Sequence, residues 1–319
     1  MKKTGLLLIL CLAAAAGHAQ QATMVEGQTA PTGTIETSVN FPVEQLATPT
    51  YTDLYCAGFV NQHLLPNVNY VAGGLDTPNT THYGTGELIF LSGKGYELGQ
   101  RYAIVRELHD PNRYEIFGGQ FTMIKAMGQP YDELGIARVV DVRNKTAIAH
   151  IDFSCAPILP GDFAVPFVEK ATIPFHPPVH FDRFIPAAGK TSGRIVMARD
   201  FDSELGTGMK VYLNLGSNQG VKVGEYFRAV RAYAADLHDP VDSLSFKAST
   251  ADDTQKQPAS IEKSMFTGGK GPNIRVADLP RRAVGEIVII STTPTTSTGM
   301  IVFAMEDIHL GDGVEIDQQ

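Results

Sequence analysis

At 319 residues, with 43% apolar content, the chain can bury one large or two ordinary cores, which excludes wholesale disorder. Acidic residues outnumber basic ones 34 to 26, the opposite of the balance a nucleic-acid binder needs. No tryptophan is present, so stacking on a sugar would fall to the 11 Tyr and 16 Phe, most of which sit in strand-like runs where burial explains them.

The chain opens with "MKKTGLLLILCLAAAAGHAQ", two lysines before an apolar stretch too short and too alanine-rich for a stable span. Gly17-His18-Ala19 is a small-x-small site, so residues 1–19 read as a secretory signal cleaved after Ala19. Cys11 follows Leu8-Ile9-Leu10 rather than small residues, which argues against lipidation there. Without Lys2 and Lys3 the 26 basic residues become 24 against 34 acidic, a net of −10. Cys56 and Cys155 then remain, and a pair in an oxidising compartment points to a disulfide. Two separate buried thiols stay open as the alternative, because sequence does not place the two Cα atoms.

Residues 20–50, rich in Thr, Gln, Pro and Ala, read as a flexible lead-in. A first β module with an N-terminal extension is expected over 51–167, its core opening at "NYVAGG". Its runs are short and β-branched: "ELIFL", "RYAIVR", "ARVVDV", "TAIAHIDF" and "FAVPF". A Pro-rich linker, 168–192, favours an extended crossing. The second module, 193–317, repeats the pattern with "KVYLNL", "YFRAVR", "EIVIIS" and "TGMIVF", and carries a polar, aperiodic insertion over about 243–273 that reads as a mobile excursion.

The two modules are copies. "YGTGELIFLSGKGYELGQRYAIVR" (83–106) aligns with "LGTGMKVYLNLGSNQGVKVGEYFRAVR" (205–231), "LHDP" follows in each, and Gly135 to Gly161 has the spacing of Gly285 to Gly311. Shared landmarks in one order indicate internal duplication. Five or six short strands per copy suit a small closed or partly open barrel better than a sandwich, so the expected fold is all-β, two tandem duplicated barrel-like modules. The runs are shorter than the roughly 9–11 residues of a transmembrane strand.

Duplication also bears on the glycine-spaced run "GSNQGVKVG" (216–224). A phosphate loop sits between a strand and a helix, whereas this run leads into another strand-like stretch. Gly220 and Gly224, with Gly95 and Gly99 in the first copy, are expected to supply positive-φ turn positions between antiparallel strands, with Val221 and Val223 packing inward. "AAGKTSG" (187–193) is no Walker loop either, since Phe184 replaces the required glycine and "RIVMARD" reads as a strand.

The pattern in "GVKVGEYFRAVR", followed by "VGEIVII" and "IHLGDGVEI", resembles the small C-terminal β module of bacterial flagellar assembly protein T. It is also similar to the C-terminal β regions of LysM-containing envelope proteins. The resemblance covers the second module well and the first more loosely, where "GYELGQRYAIVR" lacks the Gly-Glu-x-Phe core. It implies a periplasmic, non-catalytic structural role.

Candidate chemistry is sparse. "LHDP" places His109 beside Asp110 and His238 beside Asp239, but adjacent residues rarely aim at one another, and Asp-Pro is turn chemistry. His176 and His180 are four apart, yet Pro177 and Pro178 rule out the helix that would converge them on a metal. Asp162 and Asp312 follow glycine in "PGD" and "LGD", a tight-turn pattern. No cofactor, metal site or catalytic residue is expected. The reading is an exported, extracytoplasmic scaffold or binding protein with an envelope protein partner. A cell-wall or glycan-binding adaptor, with peptidoglycan as ligand, is the alternative, and a hydrolase using His109 or His238 ranks last.

Overall fold

The computed structural model describes residues 46–75, 80–174, 181–184, 186–187, 189–231 and 281–317. The expected leader, most of the lead-in, His176, His180, His238, Asp239 and the 243–273 insertion lie outside them.

A short helix, α1 (Tyr51–Tyr55), leads into a three-residue strand, β1 (Phe59–Asn61). The helix starts where it does because Thr50 and Asp53 form a reciprocal cap. The Thr50 hydroxyl accepts from the Asp53 amide, and the Asp53 carboxylate accepts from the Thr50 amide. β2 (Tyr70–Gly74), β3 (Leu88–Ser92) and β4 (Arg101–Glu107) follow. A helix, α2 (Gln120–Met127), interrupts the path to β5 (Gln129–Val142), β6 (Thr146–Ser154) and β7 (Phe163–Pro166). Strand alternation sets the core: Ala147, Ala149 and Ile151 of β6 are buried, while Thr146, Ile148 and His150 are only half-buried. The strands run in the order β5-β4-β7-β2-β3-β6, and antiparallel β5–β6 pairing closes the ring. β1 attaches outside it, along the start of β5.

Among the described residues the second module holds β8 (Ser192–Ala198), β9 (Glu204–Leu205), β10 (Lys210–Leu213), β11 (Tyr226–Arg231), β12 (Arg282–Thr292), β13 (Ser297–Ala304), β14 (Ile308–His309) and β15 (Gly313–Ile316). Six of these close in the order β12-β11-β15-β8-β10-β13, the same route around the barrel. The small β9–β14 pair, Leu205 opposite Ile308, matches the single bridge Tyr83–Ile158 of the first copy.

Equivalence extends to single hydrogen bonds. Gly99 N donates to Val139 O at 2.9 Å and Gly224 N to Ile289 O at 2.8 Å. Gly161 N donates to Val71 O and Gly311 N to Ile195 O, both at 2.8 Å. The landmark Gly135 and Gly285 are fixed by close approach: a Cβ there would collide with the carbonyl oxygens of Phe153 and Phe303.

Gly95, Gly99, Gly220 and Gly224 take φ of +79°, +80°, +86° and +88°. Two details of the expected turn are corrected. β10 and β11 do not pair, and neither do β3 and β4, so each glycine run crosses the end of a barrel rather than closing a hairpin. The second run also contains a 3-10 turn, Ser217–Gln219, which Gly220 terminates. Val221 is buried as expected, but Val223 is 43% exposed, because the residues before β11 are not strand and their alternation has no sheet to face.

Each barrel encloses its own apolar core, Val71, Ile89, Leu91, Ile104 and Ile151 in the first and Ile195, Val211, Phe227, Ile287 and Ile301 in the second. Phe117, from the β4–β5 connection of the first module, joins the core of the second.

Candidate functional site: the junction between the barrels

The arm made of α1 and β1 lies between the two barrels and touches both. On the first barrel β1 extends the sheet, and Cys56, at the end of α1, is joined to Cys155, just past β6, with Cα atoms 6.0 Å apart. On the second barrel the arm is held through its backbone. Tyr212 OH donates to Ala57 O at 3.1 Å, Thr298 Oγ1 to Gly58 O at 3.0 Å, and Thr296 Oγ1 to Val60 O at 2.7 Å. Ala47 N donates to Val302 O at 2.7 Å. Leu54, Tyr55 and Ala57 pack with Val288, Ile290, Met300 and Val302 on the outside of β12 and β13. Val60 and Met127 pack with Val196, Met197 and Tyr212.

Charged groups at this junction are paired. Lys170, from the linker, places its Nζ at 2.6 and 2.7 Å from the Glu133 carboxylate oxygens and 2.7 Å from Leu54 O. The second Glu133 oxygen also accepts from Gly58 N at 3.2 Å. Burial pushes the Glu133 carboxyl above its ordinary range, and the Lys170 ammonium draws part of that shift back. Arg199, just past β8, donates to Asp132 at 2.9 and 3.0 Å, where burial again outweighs the pairing and raises the carboxyl. At Asp53 burial works upward, but hydrogen bonds from Lys210 and Thr50 win and hold the carboxyl below its usual range. Three ion pairs thus cross or line one interface. Removing one partner of such a buried pair costs more than the intact pair contributes.

Among the described residues the remaining sequence candidates are dispersed. Asp110 accepts from the Asn112 amide at 2.8 Å, a local turn bond, and His109 points to solvent. Asp162 and Asp312 do make turn bonds, from the Leu159 amide at 2.6 Å and the His309 amide at 2.8 Å. Each also accepts a bidentate arginine, Arg106 at 2.7 and 2.8 Å and Arg231 at 2.9 and 2.8 Å. The sequence held the signal, since both arginines end aligned strands and both aspartates follow aligned glycines.

A second cluster went unread. Arg138 grips Asp152 with two bonds of 2.9 Å, and His150 Nδ1 lies 2.8 Å from the same carboxylate. His and Asp two apart in "AHIDF" share one strand face, which alternation could have revealed. Among the described residues this imidazole has no hydroxyl or thiol partner to activate, and no group of three His, Cys, Asp or Glu could hold a metal ion. No helix among the described residues is long and apolar enough to cross a membrane. Compared with known proteins, the chain matches no family model and is significantly similar to no curated protein.

Proposed function

We propose that the protein is a non-catalytic scaffold of the extracytoplasmic envelope that presents its two barrels to a protein partner as one rigid body. The junction carries this reading. The Arg199–Asp132 pair bridges the barrels, Lys210–Asp53 ties the second barrel to the arm, and a disulfide ties the arm to the first. A disulfide-stabilised body suits an oxidising compartment, in keeping with the exported character of the leader. The resemblance to the flagellar protein's module, itself periplasmic and structural, points the same way.

The test is crosslinking in the native envelope, with identification of what is captured by the parent and by the Cys56→Ser/Cys155→Ser variant. A partner held by the parent and lost from the variant supports the scaffold. Equal capture by both, or a substrate turnover that His109→Ala abolishes, contradicts it. Sedimentation with purified peptidoglycan addresses the second reading, a wall-binding adaptor, which the exposed ring of Tyr51 on the arm favours.

A further inference from the structure

Tyr51 is unusual among the aromatic residues. It is 53% exposed, yet it is held on several sides. It sits at the start of the capped helix α1, five residues before the disulfide, so its backbone is fixed at both ends. Its ring centroid is 4.5 Å from that of Tyr55 and 5.4 Å from that of Phe153, which meets it edge-on. Tyr55 stacks on Phe167 at 5.4 Å, and the Arg101 guanidinium lies 4.3 Å above Phe167. Beside this ladder runs a cleft of about 210 Å³ lined by Pro49, Thr50, Tyr51, Tyr55, Glu169 and Thr172.

We infer that Tyr51 and this cleft form a saccharide-binding site, with the apolar face of one pyranose ring stacked on Tyr51 and its hydroxyls bonded by the polar groups around it. Three features support the assignment. The first is preorganisation: a ring already fixed and desolvated on one side loses little freedom on binding. The second is the polar rim. Arg101, 41% exposed, and Glu169, 79% exposed, lie 3.8 Å apart and offer planar donors and acceptors to adjacent hydroxyls. The third is size. About 210 Å³ falls below the roughly 300–1,000 Å³ of enclosed pockets for drug-sized ligands, which leaves room for one ring of a longer chain lying across the surface. A peptide added as a strand does not fit, because β6 and β7 beside the site are paired on both edges.

This site rests on the wall-binding reading and not on the scaffold, so its failure leaves the scaffold standing. Saturation-transfer NMR and calorimetry on the disulfide-intact full chain would use a β-1,4-linked N-acetylglucosamine tetramer and an α-1,4-linked glucose tetramer as probes. Binding of at least one is expected, weakened roughly tenfold or more by Tyr51→Ala and retained by Tyr51→Phe, which keeps the ring. Glu169→Gln, at an exposed position that leaves folding untouched, should weaken binding as well, while Tyr114→Ala, at an exposed tyrosine outside the cleft, should not. Absence of binding by both probes at millimolar concentration overturns the site, as does binding that survives Tyr51→Ala in a variant with the parent's melting temperature.

Discussion

On the outer face of the first barrel Arg138, Val140, His150 and Asp152 reach solvent, whereas the equivalent positions of the second hold Val288, Ile290, Met300 and Val302, all buried. Inside the rings the copies agree: Val139 and Ile289, Ile151 and Ile301, Tyr102 and Phe227 are buried at matching places. The barrel interior therefore dictates apolar character in both copies, while the exterior follows whatever packs on it. β6 alternates because one face is wet, and β13 is buried along nearly its whole length because the arm and linker cover its other face.

Exchanging the outer faces is the most severe way to break this comparison. Val302→Asp gives the second barrel the first barrel's residue beneath the arm, and the uncompensated buried carboxylate should cost about 4 kcal/mol in denaturant unfolding. Its mirror, Asp152→Val, breaks only the solvent-reached pair with Arg138 and should cost far less. Comparable losses in both variants would mean that the outer faces are not differently covered.

Lys170→Met sharpens the account of the junction. It strands Glu133, and about 3 kcal/mol should be lost at neutral pH. The sign follows from a carboxyl whose folded pKa lies above its unfolded value of about 4.5. The charged form is the disfavoured one, so the penalty is full above the folded pKa and fades as pH falls toward 4.5. A loss that is flat with pH would assign it to packing instead. Smaller still is the effect of Gly220→Val or Gly95→Val. A Cβ at either position meets nothing within 4 Å, so only backbone strain remains, about 1–3 kcal/mol by thermal melting. Unchanged melting would count against the turn role, and stabilisation of the parent by nucleotide would revive the phosphate reading.

Much of the barrel was legible because period-two alternation and turn glycines are local signals. The copies could be aligned from sequence, and counting left Cys56 and Cys155 as a candidate pair, while their 6.0 Å Cα separation was not readable. The closed order β5-β4-β7-β2-β3-β6 was not readable, since β3 and β4 are consecutive yet unpaired. α1 left a mark in the capping pair Thr50 and Asp53, but five residues have no periodicity to detect. α2 buries only Gln120 and Met127, so its helical form depends on packing against the second barrel. The Tyr51 ladder is assembled from residues about a hundred positions apart, and no local pattern announces it.

The disulfide-tied arm is proposed to make the two barrels one body. Residual dipolar couplings of backbone amides in β2–β7 and β8–β15 test it directly in the oxidised protein. A single alignment tensor should fit both barrels with the arm in place. Two distinct tensors, with independent order parameters for the two barrels while Cys56 and Cys155 remain bonded, would contradict it.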